Sequence, residues 1–574
     1  MSTTKTPKST PTTPGKITGA QAIIKFLKDQ STDLIFGYPG GAVIPLYDAL
    51  YQSGLRHILT RHEQGAIHAA DGYARATGKT GVVFATSGPG ATNLVTGLAN
   101  AHMDSIPLVA ITGQVPTTSL GIDSFQEADI YGISIPITKY NYLVKKPEDL
   151  VNVLAEAFYL ASSGRPGPVL VDVPKDIQQA EIKYASPETI SIPGYNPSPQ
   201  PNPEDITALA EALTRSSRPI FYVGGGAVTT NVTQEILKLA EASDIAVVTS
   251  LQAKGLFPDE HFLSLGLPGM HGSKYANLAI NETDLIVGLG VRFDDRVVGN
   301  VRRFAPFARI AHVDIDPAEI GKRLNIDLPV VGDLKLALEL LIKQLKPQKR
   351  PAWKQRLSDL KIQHPFRIPQ DKKVIKPQAA IRTLSHLLKG EAIFVTDVGQ
   401  HQMWAAQFIE TKKPRTFLSS GGLGTMGFGF PAAIGAALSG PKCPVVLITG
   451  DGGFQMNIQE LATLREYEIP LKILISNNGC LGMVRQWQEF FHDKRYSETV
   501  FRFNPDFARI AEAYGIPARR VEKPAELEEA INELISRKGP GLLDVAVAKD
   551  ENVLPMIPAG KGQTEFYGES ELPE

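Results

Sequence analysis

The chain alternates short apolar runs with stretches of helical periodicity from end to end, and few folds accommodate that alternation. The runs at 81–86, 107–112, 218–223, 284–289, 444–449 and 471–476 read as buried strands. Stretches such as 91–103 and 457–467 read as helices. A β-α-β rhythm of this kind implies parallel sheets covered by helices on both faces. With 574 residues, the chain is too long for a single core, and roughly three to four domains are expected. Two proline-interrupted stretches divide it. The first, 186–205, contains Pro187, Pro193, Pro197, Pro199, Pro201 and Pro203, which remove backbone donors and fix φ. The second, 346–376, is also basic. The expectation is an α/β protein of three doubly wound parallel-sheet domains at 17–185, 206–345 and 377–560. A disordered tail at 1–16 and a C-terminal tail at 561–574 flank them.

Charge and composition exclude several classes of function. The 59 basic and 60 acidic side chains leave a formal charge of −1, which gives no electrostatic case for nucleic acid or an anionic membrane. No apolar run is long enough to span a bilayer, and the N-terminus has no secretory pattern. Cys443 and Cys480 are the only cysteines, too few for a disulfide framework or a zinc cluster. A reducing compartment is expected: the cytoplasm, or the plastid stroma if the source is an alga or plant.

The strongest chemical signal lies in the third segment. One apolar strand closes on Gly450-Asp451-Gly452-Gly453, and the next closes on Asn477-Asn478-Gly479. In a doubly wound sheet both ends emerge on one edge, where ligands bind. Mg²⁺ prefers hard oxygen ligands, typically one carboxylate plus phosphates. Asp451, the Asn478 amide oxygen and the Cys480 carbonyl supply such a set, and Gly452 and Gly453 let backbone approach a phosphate. A lone Gly-Asp-Gly would read as a turn. The pair, each closing a strand, is far more specific.

This pair resembles the signature of thiamine-diphosphate enzymes, in which the metal bridges the two phosphates of the coenzyme. The segment Arg61-His62-Glu63-Gln64-Gly65-Ala66 is similar to the family's glutamate segment. The resemblance makes Glu63 the group that protonates the coenzyme's aminopyrimidine, a task that calls for a buried carboxyl of raised pKa. Glu63 and Asp451 lie in different domains, and in the family the two halves of a site come from different subunits. A homodimer, or a tetramer built from it, is therefore implied. Val398, Gly399, Gln400 and His401 match the segment that touches the diphosphate, and Gly424 and Met426 match the segment that holds the bent coenzyme.

Within that family the resemblance is closest to the acetolactate synthase (acetohydroxyacid synthase) catalytic subunits, over about 17–560. It rests on Tyr38-Pro39-Gly40-Gly41-Ala42, Gly113-Gln114-Val115-Pro116, Ser124-Phe125-Gln126-Glu127 and Val173-Pro174-Lys175-Asp176. Val291-Arg292-Phe293-Asp294-Asp295-Arg296 and Gly482-Met483-Val484-Arg485-Gln486-Trp487 complete it. The implied reaction is carboligation. Pyruvate loses CO₂, and the two-carbon remainder joins a second 2-keto acid, pyruvate or 2-ketobutyrate, in branched-chain amino-acid synthesis. The resemblance gives Gln126 and Gly41 contact with the reacting carbons, the Gly41 N–H serving as an oxyanion donor. It assigns Phe125, Met483 and Trp487 to the acceptor wall and Arg296 to the acceptor carboxylate. Lys175 lies near the same channel.

The middle segment carries Gly224-Gly225-Gly226 after a strand, weak evidence for a dinucleotide by itself. Asp314 closes another strand, and Asp333 has a similar position. Together with Arg165, Met270-His271-Gly272, Arg292, Asp294 and Arg296, these residues resemble the FAD-binding members of the family, the flavin having no net redox task. A small regulatory subunit is a further implied partner. The rival readings are a pyruvate oxidase, a 2-keto-acid decarboxylase, a glyoxylate carboligase, or a nucleotide-binding scaffold without catalysis. Glyoxylate carboligase lacks the activating glutamate, and the last reading expects a degraded Glu63 or Asp451.

Overall fold

The computed structural model describes residues 15–369 and 371–567. Most of the expected N-terminal tail, 1–14, and the end of the C-terminal one, 568–574, lie outside these residues. Contacts divide the chain into two compact units. Residues up to Asp71, Thr80–His102 and Ile106–Tyr195 form the first, and Gly72–Lys79, Met103–Ser105 and the chain from Asn196 onward form the second.

The first unit holds a six-stranded sheet in the order Arg56–Leu59, Leu34–Tyr38, Gly81–Ala85, Leu108–Gln114, Pro168–Pro174, Tyr140–Leu143. Every pairing is parallel. Counted along the chain, the strand order is 2-1-3-4-6-5. A short antiparallel pair, Ile17–Thr18 with Glu181–Ile182, ties its ends. The following helix Gly19–Asp29 begins in a capping box between Thr18 and Gln21, which satisfies two otherwise orphaned donors.

The second unit holds two more six-stranded parallel sheets. The middle one runs Ser264–Gly266, Ala246–Thr249, Pro219–Val223, Leu285–Leu289, Arg309–Asp314, Leu328–Val331, the order 3-2-1-4-5-6 of dinucleotide-binding sheets. The last runs Phe417–Leu418, Ile393–Thr396, Val445–Gly450, Leu471–Asn477, Gly541–Ala546, Ala518–Val521, again 2-1-3-4-6-5. Most central strands are buried along their whole length, because helices cover both faces and the residues are apolar on both sides.

Two stretches read as linker or tail are more ordered than their composition suggests. Within 346–376, Pro351–Gln363 is a helix whose Trp353, Leu357 and Leu360 are buried in a core cluster of the middle sheet. Their spacing of four and three residues forms one apolar stripe, which the surrounding basic residues mask in a composition-based reading. Within the C-terminal tail, Lys561 accepts from the Asn300 N–H at 3.1 Å, and Gln563 donates to the Val297 carbonyl at 2.7 Å. No helix among the described residues is long and apolar enough to cross a membrane.

In each sheet the chain order reverses beside the first strand and opens a crevice at the carboxyl ends. In the middle sheet Gly224 follows Pro219–Val223 and meets Gly290 at the end of Leu285–Leu289. A Cβ on Gly224 would lie 2.1 Å from the Gly290 carbonyl oxygen, so only glycine lets the two turns touch. Gly224→Ala is expected to destabilise the chain by about 1–3 kcal/mol in chemical denaturation. Gly539→Ala, where a Cβ meets nothing within 4 Å, should leave stability unchanged. Equal effects of the two would refute this packing argument.

Candidate active site

In the last sheet Val445–Gly450 runs directly into the short helix Asp451–Gln455, and the neighbouring Leu471–Asn477 runs into Asn478. The strands pair with Gly450 opposite Ser476, so Asp451 and Asn478 leave the same edge side by side. Asp451 is 1% exposed. Its Oδ2 accepts from the Gly479 N–H at 3.0 Å and from Asn504 Nδ2 at 2.7 Å, whereas Oδ1 has no partner. Burial pushes this carboxyl up to about 6, against the pull of its hydrogen bonds. An unpartnered buried acceptor costs about 1–3 kcal/mol, and a cation removes that cost. The Asn478 oxygen accepts from the Cys480 N–H at 3.2 Å while its Nδ2 faces Gln400 Oε1 at 3.3 Å. Burial pushes the Cys480 thiol up to about 11, and the backbone carbonyl of the same residue is a hard oxygen of the kind Mg²⁺ takes. One carboxylate with amide and carbonyl oxygens suits Mg²⁺ and not a soft metal.

Val398, Gly399, Gln400, His401, Met426, Gly452 and Gly453 line the same cleft, as do Asp451, Asn478, Cys480 and Met483. Gly424 is exposed and outside that lining. Burial holds His401 down at about 4. The ring is therefore neutral at physiological pH, and its Nε2 has no partner. Two further residues shape the cleft. Asp397 is fully buried and accepts from the N–H groups of Val398, Gly427 and Gly429, pinning both glycine loops to one carboxylate. A Cβ on Gly482 would lie 2.1 Å from Gln400 Oε1 and 2.6 Å from Asn478 Nδ2. Gly482→Ala should therefore turn the Asn478 amide and weaken Mg²⁺-dependent binding of thiamine diphosphate at least tenfold in calorimetry. Unchanged affinity would exclude a role for that amide.

The helix Gly482–Phe491 carries Met483 into the cleft and Trp487 one turn further along. The Arg296 guanidinium carbon stands 6.0 Å from the Trp487 ring centroid, and Arg296 Nη1 lies 3.9 Å from Met270 Sδ. The Met270 N–H donates to the Arg296 carbonyl at 2.7 Å, which fixes the backbone under that side chain. Asp295 is 4.0 Å away, and both side chains are about 60% exposed, so that pair is weak and the guanidinium head is available to an anion.

The first unit collects a second group of sequence-predicted residues. Glu63 opens the helix Glu63–Thr77, is 9% exposed, and accepts from Asn93 Nδ2 at 2.9 Å. Gly41 follows the strand Leu34–Tyr38, and a Cβ there would meet nothing within 4 Å, so its backbone faces open space. Gln126 has φ +60 and its backbone rests on Gly88, where a Cβ would lie 2.7 Å from the Gln126 carbonyl oxygen. Gly90, two residues on, brings the same turn to Glu63 Oε1, 3.3 Å from its would-be Cβ. Thr86 Oγ1 accepts from the Ala42 N–H at 3.2 Å, so the turn 86–90 ties the segment after Gly41, Glu63 and Gln126 to one edge of the sheet. Lys175 starts the helix after Pro168–Pro174. Arg165 lies at the other end of that strand, away from this group. Phe125 is 89% exposed.

The loop bearing Phe125 and Gln126 is held from below. Buried Asp172 accepts from Thr112 Oγ1 at 2.7 Å and Gln114 Nε2 at 2.9 Å, and Gln114 Nε2 also donates to the Ala128 carbonyl at 3.0 Å. Burial pushes the Asp172 carboxyl up to about 7, outweighing these hydrogen bonds. A raised carboxyl pKa means the folded state holds the proton more tightly than the unfolded state. This contribution to stability is full below about pH 4 and is lost as pH rises towards 7. Asp172→Asn should flatten that slope in denaturation at pH 5 and 8. Parallel slopes in the two proteins would contradict it.

In the middle sheet Gly224, Gly225 and Gly226 lie at the point where strand order reverses. Asp314 closes the strand Arg309–Asp314, buried, with His312 Nε2 at 3.7 Å. Arg292 Nη2 is 3.0 Å from a would-be Cβ on Gly422. Asp294 caps a turn by accepting from the Arg296 N–H at 3.0 Å. His271 is buried and its Nδ1 has no partner, while Gly272 packs against the Leu267 carbonyl. The glycine crossing, the buried acid and the strand order fit a dinucleotide. Asp333 is engaged otherwise, as the N-cap of Leu334–Gln344, accepting from the Lys335 and Leu336 N–H groups.

Three family models match in order along the chain. They are the N-terminal TPP binding domain (17–133), the central domain (206–341) and the C-terminal TPP binding domain (397–545) of the thiamine pyrophosphate enzymes. The "Probable acetolactate synthase large subunit" of Methanocaldococcus jannaschii is 50% identical, covering 94% of each chain. The chain belongs to the acetolactate synthase family of thiamine pyrophosphate enzymes. The acetolactate synthase large subunit of Corynebacterium glutamicum is 48% identical, covering 96% of this chain and 90% of its own. That of Cyanidium caldarium is 47% identical, covering 96% and 97%. Four of the six strands of the first sheet lie within the N-terminal match, and the last sheet spans the C-terminal match almost end to end.

Proposed function

We propose that this chain is the catalytic subunit of an acetolactate synthase. It removes CO₂ from pyruvate and joins the two-carbon remainder to a second 2-keto acid, pyruvate or 2-ketobutyrate. The observation that carries the reading is a single helix, Gly482–Phe491, that presents Met483 to the Asp451–Asn478 cleft and Trp487 to Arg296. One rigid element thus borders both the cleft proposed for a metal–diphosphate and the guanidinium proposed for a carboxylate.

Bound thiamine diphosphate would supply the electron sink for the carbanion chemistry. Asp451, the Asn478 oxygen and the Cys480 carbonyl would hold Mg²⁺, with backbone at 452–453 and 399–401 against the phosphates. Glu63 would hold the proton that activates the coenzyme's pyrimidine, oriented by Asn93. The Gly41 N–H and the Gln126 amide would bind oxygen atoms of the reacting keto acid. Arg296 would grip the acceptor carboxylate. Met483 and Trp487 would exclude water and favour the extra methyl of 2-ketobutyrate by about 1–3 kcal/mol. Gly224–Gly226, Arg292 and Asp314 would hold FAD in a structural role. A homodimer with a small regulatory subunit is the assembly we propose, consistent with relatives named large subunits.

The test is product analysis with pyruvate, with and without 2-ketobutyrate, in the presence of Mg²⁺, thiamine diphosphate and FAD. Acetolactate and acetohydroxybutyrate should form without oxygen uptake, whereas oxygen consumption or release of acetaldehyde as the main product would overturn the reading. Glu63→Gln should slow turnover by at least roughly 10²-fold with coenzyme still bound. Asp451→Ala should lose metal-dependent coenzyme binding itself.

A further inference from the structure

The fourth residue of the strand Leu285–Leu289 is Gly288, and the space above it is filled by a side chain from further along. A Cβ on Gly288 would lie 2.6 Å from both Cε2 and Cζ of Phe293. Register sets Gly288 directly between Tyr222 and His312 on the flanking strands, and side chains in one row share a face. The Phe293 ring occupies the missing place in that row. It meets Tyr222 at 5.5 Å, His312 at 5.1 Å and Phe304 at 6.3 Å, each close to edge-on. Phe293 is 2% exposed, and its backbone has φ +48, a conformation that bulky residues rarely adopt. Such a conformation persists only where the surroundings over-determine it.

We infer that Phe293 is a peg that positions Arg292 and Arg296. Arg292 lies one residue before it, with its guanidinium beside Gly422. Arg296 lies three residues after it, over Trp487 and with its backbone bonded to Met270. Between Gly290, itself at φ +58, and the turn capped by Asp294, the ring and the Val291 side chain are both buried against this face, Val291 Cγ1 lying 3.0 Å from the would-be Gly288 Cβ and the larger ring lying nearer. The ring sets the direction in which the chain leaves the strand and therefore where both guanidinium groups stand. The inference rests on the acceptor-binding role proposed above for Arg296. It adds a specificity-determining residue that touches neither substrate nor coenzyme.

The test is a mutant cycle on Phe293→Ala and Gly288→Ala in the full chain, folding being verified by far-ultraviolet circular dichroism. Each single variant should raise the KM for 2-ketobutyrate roughly tenfold, as expected for a displaced substrate-positioning group, with a smaller change in kcat. FAD affinity, read by flavin fluorescence, should fall in parallel. In the Phe293→Ala background, Gly288→Ala should add little to the effect on the acceptor KM, because the ring it displaces is gone and only Val291 Cγ1, at 3.0 Å, still faces the new Cβ. If Phe293→Ala fails to fold, Gly288→Ala alone still decides. An unchanged acceptor KM in either folded variant, or effects that simply add, overturns the peg provided Arg296→Ala raises that KM. If Arg296→Ala leaves it unchanged, the acceptor role of Arg296 is wrong, and the peg falls with it.

Discussion

A single buried carboxylate governs the chemistry this fold can support. Asp451 has one oxygen bonded to Asn504 and to the Gly479 N–H and the other without any protein partner. Burial makes that arrangement unfavourable for the apo protein, and a hard cation with its own phosphate ligands makes it favourable. The surrounding residues are arranged to keep it so. Asp397 pins the glycine loops, and the absence of a side chain at Gly482 leaves room for the Asn478 amide. Asp397 lies behind the cleft lining and Gly482 within it, and both hold the geometry of the groups around them.

The sheets explain why these groups converge. Parallel strands deliver every loop that follows a strand to the same edge, and the order reversal beside the first strand separates two of those loops into a crevice. The chain uses this arrangement three times. The first and last sheets share the order 2-1-3-4-6-5, and the middle sheet has 3-2-1-4-5-6. Similar edges hold different chemistry because the residues after the strands differ. Glu63 and Gln126 gather at the first, glycines with Asp314 at the second, and Asp451 with Asn478 at the third.

Strand positions and the Asp451–Asn478 pair were legible in the sequence because each is local, an apolar run that closes on a recognisable turn. Glu63 was legible only through its resemblance to a family segment, since an acidic residue at a helix start is otherwise commonplace. Asn93, Asn504, Asp397 and Gly482 were not legible, for each matters through a partner 30 to 53 positions away or, for Gly482, through the space it leaves empty. The helix Pro351–Gln363 was hidden by its lysines, arginine and proline, although Trp353, Leu357 and Leu360 carry the spacing that reveals it. Asp333 shows the converse. An acid after a strand is where a ribose partner belongs, yet the helix that follows it also needs a cap.

The most direct measurement is anomalous diffraction from crystals grown with Mn²⁺ and thiamine diphosphate. One manganese peak should lie about 2.0–2.3 Å from Asp451 Oδ1, the Asn478 amide oxygen and the Cys480 carbonyl, with the remaining positions filled by phosphate oxygens or water. A peak elsewhere, or coenzyme bound with Asp451 Oδ1 still lacking a partner, would contradict the account.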